Sequence, residues 1–446
     1  MGRGRRISAE GVRASLWFWP VVAAGAFLLL TLVLLKVRPV AGTAWAGLIW
    51  PAGADAALAL LQTVATAIMA AATVTVSLTV VALQLASQQF SPRLLRQFAR
   101  DRFTQAVLAL FISTFVVALA GLQGLNADQP VPVLVMLLVL LMGIASAVGL
   151  LAFVGHIVKS LRVDTMMVTV HEEAASTIKQ FCPPYEDRSK DPQDGLPGPA
   201  GGTLLPSARS GFVQIIQPRL LITAAAERGL FIRLGIRPGD HVVAGSPLGS
   251  IWSTSGAGAA AEDLEGALQE SIGMGFERTS EQDVALGLRQ LTDIAVKAIS
   301  PGINDPITAA HAIGYCADLL TRLQGRHLGP QQHNDTDGQP RLLLPARDHR
   351  YYLDLVCAPI RRFGRAEPLV LTALLRMLRD CAAAARDGAQ REEVSRQAGL
   401  ILENASDELL EYDREAIVEL VQRVEAALEG NIDDAYRDRA GETRSV

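Results

Sequence analysis

The stretch AALALLQTVATAIMAAATVTVSLTVVALQLASQQFSP, residues 56–92, contains no charged side chain. A lipid core about 30 Å thick needs about 20 apolar residues at about 1.5 Å per residue. The stretch is therefore long enough to cross a membrane and to continue beyond it. Three further runs lack Asp, Glu, Lys and Arg, at residues 15–35, 103–125 and 131–158. We predict a transmembrane domain over residues 1–162 with four helices, the second from residue 56 to about residue 85.

Basic residues near the ends of these runs lie mostly on one side of the predicted membrane. They are Arg3, Arg5, Arg6, Arg13, Arg93, Arg96, Arg100, Arg102, Lys159 and Arg162. Since loops rich in Lys and Arg stay in the cytoplasm, we predict that the N-terminus and the large C-terminal domain are both cytoplasmic. A secretory signal over residues 1–45 is disfavoured, because its apolar core would span only about 7 to 15 residues.

The second predicted helix carries polar and small residues at intervals of three or four. They are Gln62, Thr66, Ala70, Thr73, Ser77, Val81, Gln84 and Gln88. This spacing places them within an arc of about 100° on a helix, and we call this set the polar stripe. Polar groups in hydrocarbon need partners, so the stripe should face other helices or water. It either lines a pore in an oligomer or forms a tight helix-packing face, and Thr75 and Thr79 fall on the far side.

Charge differs sharply between the two halves of the chain. Residues 1–162 hold twelve Lys and Arg against four Asp and Glu, and the remainder holds 29 against 41. An acidic soluble half has no basic surface for nucleic acid, so we exclude DNA and RNA as partners. The four cysteines are too widely spaced for a metal knuckle or a redox pair and indicate buried free thiols. We expect neither a metal nor another cofactor.

The soluble half shows three patterns in succession. Residues 163–210 contain a helical stretch, 163–181, followed by a flexible loop rich in Pro, Gly, Asp and Ser. Residues 211–255 show short apolar runs at 212–216, 220–223, 230–232, 241–243 and 248–252, separated by turns. We predict a small all-β, barrel-like module there; residues 239–248 are similar to biotin and lipoyl carriers but hold no lysine. Residues 260–446 are predicted to be helical, with a polar insert at 325–339.

A sharp corner between two helices is predicted at residues 300–308. Residues 280–299 have helical periodicity, with Ser280 and Asp283 as a capping pair. Asp305 is placed to cap the next helix, with Pro306 at its first position. The densest polar grouping of the chain surrounds this corner: Arg289, Gln290, Asp293, Ser300, Asn304, Asp305 and Thr308. The corner is either an anion or ligand site at a helix start or a capped turn whose polar groups satisfy one another.

Four short motifs together resemble one known family. They are LASQQFSPR at 85–93, QD at 282–283, RQLxDIA at 289–295 and AISPGINDPxTA at 298–309. The chain resembles the bacterial predicted membrane proteins called domain of unknown function twenty-two fifty-four, from about residue 15 to beyond residue 400. This resemblance implies a bacterial origin, hence the cytoplasmic (inner) membrane, and the predicted topology. It implies no activity and no catalytic residue.

Three classes of function remain to be weighed. No catalytic motif occurs: residues 171–173 (HEE) lack the second histidine of a zinc protease, and there is no Gly-x-Ser-x-Gly elbow. We favour an integral membrane protein with four transmembrane helices and a cytoplasmic α+β domain, forming a channel-like homo-oligomer with a regulatory domain. The alternative is a membrane-anchored sensor or scaffold that binds a small ligand or protein at the 300–308 corner. The sequence names neither ion nor ligand.

Overall fold

The chain forms two compact units, Met1–Thr165 and Met166–Val446. The structure, a computed structural model, describes residues 18–36, 50–89, 101–125, 130–160, 162–185, 196, 201–253 and 264–437. In the first unit the described residues form four long helices followed by the start of a fifth. These are α1 (Phe18–Lys36), α2 (Ala54–Gln89), α3 (Arg102–Gly124), α4 (Val133–Ser160) and α5 (Val163–Phe181), which continues into the second unit.

Helices α1 to α4 confirm the four predicted apolar helices. Each contains a window long and apolar enough to cross a membrane, with mean hydropathy between 2.0 and 2.8. Most of the basic residues used for the orientation lie outside the described residues, as do residues 90–93 of the LASQQFSPR motif. Helix α3 begins where Asp101 caps it, its carboxylate accepting hydrogen bonds from the backbone N–H groups of Phe103 and Thr104.

Helix α3 is the most enclosed helix of the first unit. Phe111 and Val117 are fully buried on it, against one face of α2 and one face of α4. Leu61 on α2 and Val139 on α4 pack into the same apolar core. A second core cluster, with Phe111 and Phe153, joins α3 and α4 farther along the unit.

Two β-sheets and two short helices, among the residues that the structure describes, form one part of the second unit. The elements are β1 (Thr203–Pro206), β2 (Gly211–Ile216), α6 (Pro218–Glu227), β3 (Leu230–Leu234), β4 (His241–Val242), β5 (Pro247–Ser253), α7 (Glu265–Ser271), β6 (Ile272–Gly275), β7 (Gln331–Asn334) and β8 (Pro340–Leu344). One sheet has the strand order β1-β5-β3-β8-β7, in which only β3 and β8 pair in parallel. The other sheet has the order β4-β2-β6 and is antiparallel.

The predicted barrel-like module is not confirmed. The strands that the structure describes form two open sheets, and four of the eight come from outside residues 211–255. The strand predicted at residues 220–223 is wrong, because these residues lie in α6. Pro218 stands in the first turn of α6 and Leu221, Ala224 and Ala225 bury one face, a helical period that a four-residue apolar run cannot reveal.

Helices form the rest of the second unit, as predicted for most of residues 260–446. They are α8 (Val284–Ala298), α9 (Pro306–Gln324), α10 (His349–Phe363), α11 (Pro368–Ala384), α12 (Gly388–Asn404), α13 (Glu411–Leu428) and α14 (Ile432–Ala435). Helix α11 is central, with Leu371, Leu374 and Leu378 fully buried. The polar insert predicted at 325–339 is instead largely strand β7 and a turn into β8, where Asp335 accepts backbone hydrogen bonds from Asp337 and Gln339. Strand β1 likewise lies in the predicted loop.

Candidate functional site

The polar stripe lies on the outward face of α2. Gln62, Thr66, Ala70, Thr73, Ser77 and Gln84 are all exposed within the chain, and Val81 is 48% exposed. The side chain of Gln88 lies outside what the structure describes. At about 100° per residue the exposed members share one side of the helix, as the spacing predicts.

The face of α2 opposite the stripe packs against the other helices. Leu61, Ala65, Ile68 and Ala82 are buried there. Thr75 is also buried on this side, and its hydroxyl donates to the carbonyl of Ala71 at 2.9 Å, so it satisfies itself on its own helix. The chain therefore uses the apolar face of α2 for its own core, and the helices that the structure describes leave the polar stripe uncovered.

A histidine–aspartate contact lies at one end of the first unit. The Nε2 of His156, near the end of α4, lies 2.7 Å from an Oδ of Asp101, which caps α3. The ring of His156 also stacks near Phe103, with centroids 4.6 Å apart. Burial opposes ionisation of Asp101, but hydrogen bonds from Thr104 and Phe103 lower its pKa overall. The pair ties the start of α3 to the end of α4.

The 300–308 corner is an exposed, internally bonded turn. Asp305 caps α9 as predicted: its carboxylate accepts hydrogen bonds from the backbone N–H of Thr308 at 3.1 Å and from the Thr308 hydroxyl at 2.5 Å. These bonds lower the pKa of Asp305. The hydroxyl of Ser300 donates to the carbonyl of Lys297 at 2.6 Å. Most polar side chains of the corner thus have local partners.

Asn304 adopts a left-handed backbone conformation, with φ of 51°, and its side chain is exposed. Asn tolerates this region better than most residues, so the corner needs it for the turn. Arg289 and Asp293 lie half-buried on α8, before the turn. Ser300, Asp305 and Thr308 form the hydrogen-bonded frame of the corner together with the backbone.

A buried cluster of opposite charges lies at the start of α8, and the sequence did not predict it. The side chain of Asp283 is 1% exposed; one Oδ lies 2.6 Å from an Nη of Arg278 and the other 3.7 Å from an Nη of Arg347. Arg347 also donates to Asp240 at 3.0 Å. Burial raises the pKa of Asp283, and the charges of the two arginines act in the opposite direction.

The predicted side-chain cap of α8 is not formed by Asp283. Asp283 is the N-cap residue, but its carboxylate binds Arg278 instead of capping the helix. The neighbouring Gln282 makes two hydrogen bonds to Ile216 in β2. Its amide oxygen accepts from the N–H of Ile216 at 2.9 Å, and its amide nitrogen donates to the Ile216 carbonyl at 3.1 Å. In the sequence, only the motif QD at 282–283 pointed to this cluster. The motif alone does not predict its partners, Ile216 and Arg278.

The four cysteines are free and buried: Cys182, Cys316, Cys357 and Cys381. Burial raises the pKa of the Cys182 thiol to about 11, and those of Cys316 and Cys357 to about 12. Thiols with such pKa values hold almost no thiolate at neutral pH and are poor nucleophiles. Among the residues that the structure describes, no group of His, Cys, Asp or Glu is arranged to hold a metal ion.

Comparison with known proteins gives a family but no activity. A family profile described as "Predicted membrane protein (DUF2254)" matches residues 13–380. The relatives include uncharacterized proteins Rv1290c of Mycobacterium tuberculosis (strain ATCC 25618 / H37Rv) and Mb1321c of Mycobacterium bovis. Each is 34% identical to this chain over 347 residues, which is 77% of this chain and 67% of the relative. No solved structure matches the chain.

Proposed function

Because the chain belongs to the DUF2254 family of predicted membrane proteins, we propose that it is a channel-like homo-oligomer in the lipid bilayer. In this proposal the polar stripe of α2 lies between copies of the chain and borders a polar path through the membrane. The unit Met166–Val446 is the regulatory domain on the cytoplasmic side.

The observation that carries this proposal is the exposure of the stripe opposite the packed face of α2. A glutamine amide offers two donors and an acceptor oxygen, and helix backbone N–H groups are already used within the helix. Gln62 and Gln84 are therefore poorly suited to lipid, in which unpaired polar groups cost free energy. A second copy of the chain or a column of water would supply their partners.

Two arrangements of the stripe remain to be separated by experiment. In the first the stripe borders a pore, and hydroxyl and amide oxygens face water. In the second the copies pack tightly along the stripe, where small residues such as Ala70 and Ser77 allow close approach of helices. We favour the pore because the stripe combines two exposed glutamines with three hydroxyl residues, more polar groups than close packing requires.

The proposed orientation places both ends of the chain in the cytoplasm of a bacterial cell. The positive-inside rule supports it, through the basic residues that precede the first span and follow the second and fourth. The four buried free thiols of the second unit are compatible with a reducing compartment. The membrane is then the cytoplasmic (inner) membrane.

A second candidate is a membrane-anchored sensor or scaffold that uses the 300–308 corner. Ile303 is 44% exposed and Ile307 is 55% exposed, and both flank the left-handed Asn304. Exposed isoleucines beside a rigid turn suit a protein partner better than a small polar ligand. This candidate needs no conduction through the membrane.

Reconstitution of the purified chain into lipid bilayers with current recording tests the proposed function. We expect currents under voltage, tension or an ion gradient, and we expect Ser77→Trp to reduce them strongly, because a bulky ring would fill the path. Leu78→Trp is the matched control: Leu78 is 37% exposed, lies at nearly the same depth and points about 100° away from the stripe. Silence under all three conditions, with the chain correctly inserted, would favour the scaffold.

A further inference from the structure

The second unit contains a cavity of about 300 Å³ beside the buried charge cluster. The end of α5, strand β2, the start of α8, strand β8 and residues before α10 line it. Its volume falls at the lower end of the range of roughly 300 to 1,000 Å³ for small-molecule pockets. The 300–308 corner contributes no lining residue, so the cavity is separate from the predicted site.

The polar side chains that line this cavity are either positively charged or neutral. Arg237 and Arg347 bring two guanidinium groups, and His333 brings an imidazole. No aspartate or glutamate is among the lining residues that the structure describes. The lining therefore presents two guanidinium groups and no carboxylate of its own, while Asp240 lies 4.0 Å from Arg237 and Asp283 lies 3.7 Å from Arg347.

The carboxylates that balance this charge are not among the lining residues. Asp240 accepts from Arg347 at 3.0 Å, and Arg347 also donates to the carbonyl of Pro238 at 3.0 Å. These contacts hold the guanidinium of Arg347 in one orientation at the wall. A charge held in place in advance loses little conformational entropy when it meets a ligand.

Two polar atoms of the lining are buried and have no hydrogen-bond partner among the described residues. They are Nε of Arg237 and Nε2 of His333. Burial lowers the pKa of His333, which favours the neutral imidazole. Buried polar atoms without partners are costly, so a ligand that pairs with them would be favoured.

The rest of the wall is apolar. Ile216, Ile236, Val284 and Leu344 contribute aliphatic groups, and Phe181 and Tyr352 contribute rings. Val284 is 6% exposed and Ile236 is likewise 6% exposed, so these groups belong to the core of the unit. A purely polar anion such as phosphate would leave this part of the wall unfilled.

We propose that this cavity binds a small organic carboxylate whose anionic head contacts Arg237 and whose apolar body lies against Ile236 and Leu344. The guanidinium of Arg347 completes the positive end. The proposal concerns the second unit alone and does not depend on a pore. The carboxylate is bound without any covalent step.

Isothermal titration of the full chain in mild detergent tests this proposal with three probes. Benzoate has the carboxylate and an apolar body; benzamide has the same body without charge; inorganic phosphate has charge without the body. We expect benzoate to bind at one site per chain and to bind at least tenfold more tightly than either of the other two. Arg237→Gln should weaken benzoate binding at least tenfold and leave benzamide unchanged.

Two further variants keep the test decisive. Leu344→Trp fills the apolar end and should abolish benzoate binding while the thermal melting transition remains. Arg322→Gln removes an arginine that pairs with Asp318 outside the cavity and should bind benzoate like the original chain. No benzoate binding at millimolar concentration, equal binding of benzoate and benzamide, or binding unchanged in both Arg237→Gln and Leu344→Trp would overturn the proposal.

Discussion

The carboxylate of Asp283 lies 2.6 Å from an Nη of Arg278, and the Asp283 side chain is 1% exposed. The turn at Gly239 comes so close that a Cβ there would lie 2.2 Å from Oδ2 of Asp283. The start of α8, the turn before β4 and the segment before α10 therefore meet at one buried charge. The contacts around Asp283 therefore connect the sheets of the second unit with its helices.

Asp283→Ala should destabilise the second unit severely. The change leaves Arg278 without its close carboxylate in a buried site, and breaking a buried pair in this way costs about 3 to 5 kcal/mol. Asp318→Ala is the control, because the Asp318 side chain is 46% exposed. Denaturant unfolding followed by circular dichroism measures both variants. A loss below about 1 kcal/mol for Asp283→Ala would contradict the proposed role of the cluster.

Gly239→Ala should cost more stability than Gly245→Ala. Both glycines have positive φ, 90° and 84°, so both variants carry the backbone strain of about 1 kcal/mol that a side chain causes there. Only Gly239 faces an obstacle, the Asp283 carboxylate, whereas nothing lies within 4 Å of a Cβ at Gly245. Thermal melting of the two variants in parallel separates the clash from the strain. Equal melting temperatures would show that the turn yields.

Asp305→Ala should lower the free energy of unfolding by about 1 kcal/mol, the ordinary worth of an N-cap. The variant loses both bonds from Thr308 at the start of α9. Asp305→Asn keeps an oxygen that can accept from the Thr308 N–H, so it should recover part of the loss. If Asn proved as harmful as Ala, the cap would not be the reason. Urea unfolding curves give the comparison.

His349 should make the second unit less stable as the pH falls from about 6.5 to about 4. Burial lowers the pKa of His349 to about 4 from an ordinary value of 6.5, so between these values the unfolded chain binds a proton that the folded chain does not. The Nε2 of His349 accepts from the Gln390 amide at 2.9 Å, a bond that protonation would remove. The stability slope is at most about 1.4 kcal/mol per pH unit.

His349→Gln should flatten this pH dependence. Glutamine keeps a hydrogen-bonding group beside Gln390 but binds no proton in this range. Unfolding at pH 7, 6, 5 and 4.5 for both chains measures the slope. An unchanged slope in the variant would assign the pH dependence to other groups.

The membrane helices could be predicted because lipid imposes a simple rule on composition and length. The cap at Asp305 could also be predicted, because Asp305 and its partner Thr308 lie only three positions apart, on one helical turn. Strand pairing could not be predicted, because β3 pairs not only with the nearby β5 but also with β8, across more than a hundred residues of the chain. The strand predicted at residues 220–223 was wrong for another reason: a run of four apolar residues fits a strand and a helix equally well.

The candidate sites divide in the same way. The polar stripe followed from helical periodicity, and its exposed face agrees with the spacing. The charge cluster of Asp283 did not follow, because Arg347 and Asp240 are distant in sequence and nothing local marks them as partners. The cavity beside the cluster is likewise a product of tertiary packing.

Oxidative cross-linking in native membranes gives the sharpest test of whether copies of the chain meet along the polar stripe. The native cysteines are buried, so a cysteine introduced at Ser77 or Leu78 would be the reactive thiol. We predict a covalent dimer for Ser77→Cys and little or none for Leu78→Cys, one residue away on another side of α2. A monomer for Ser77→Cys, or equal dimer for the two variants, would contradict an oligomer built on this face.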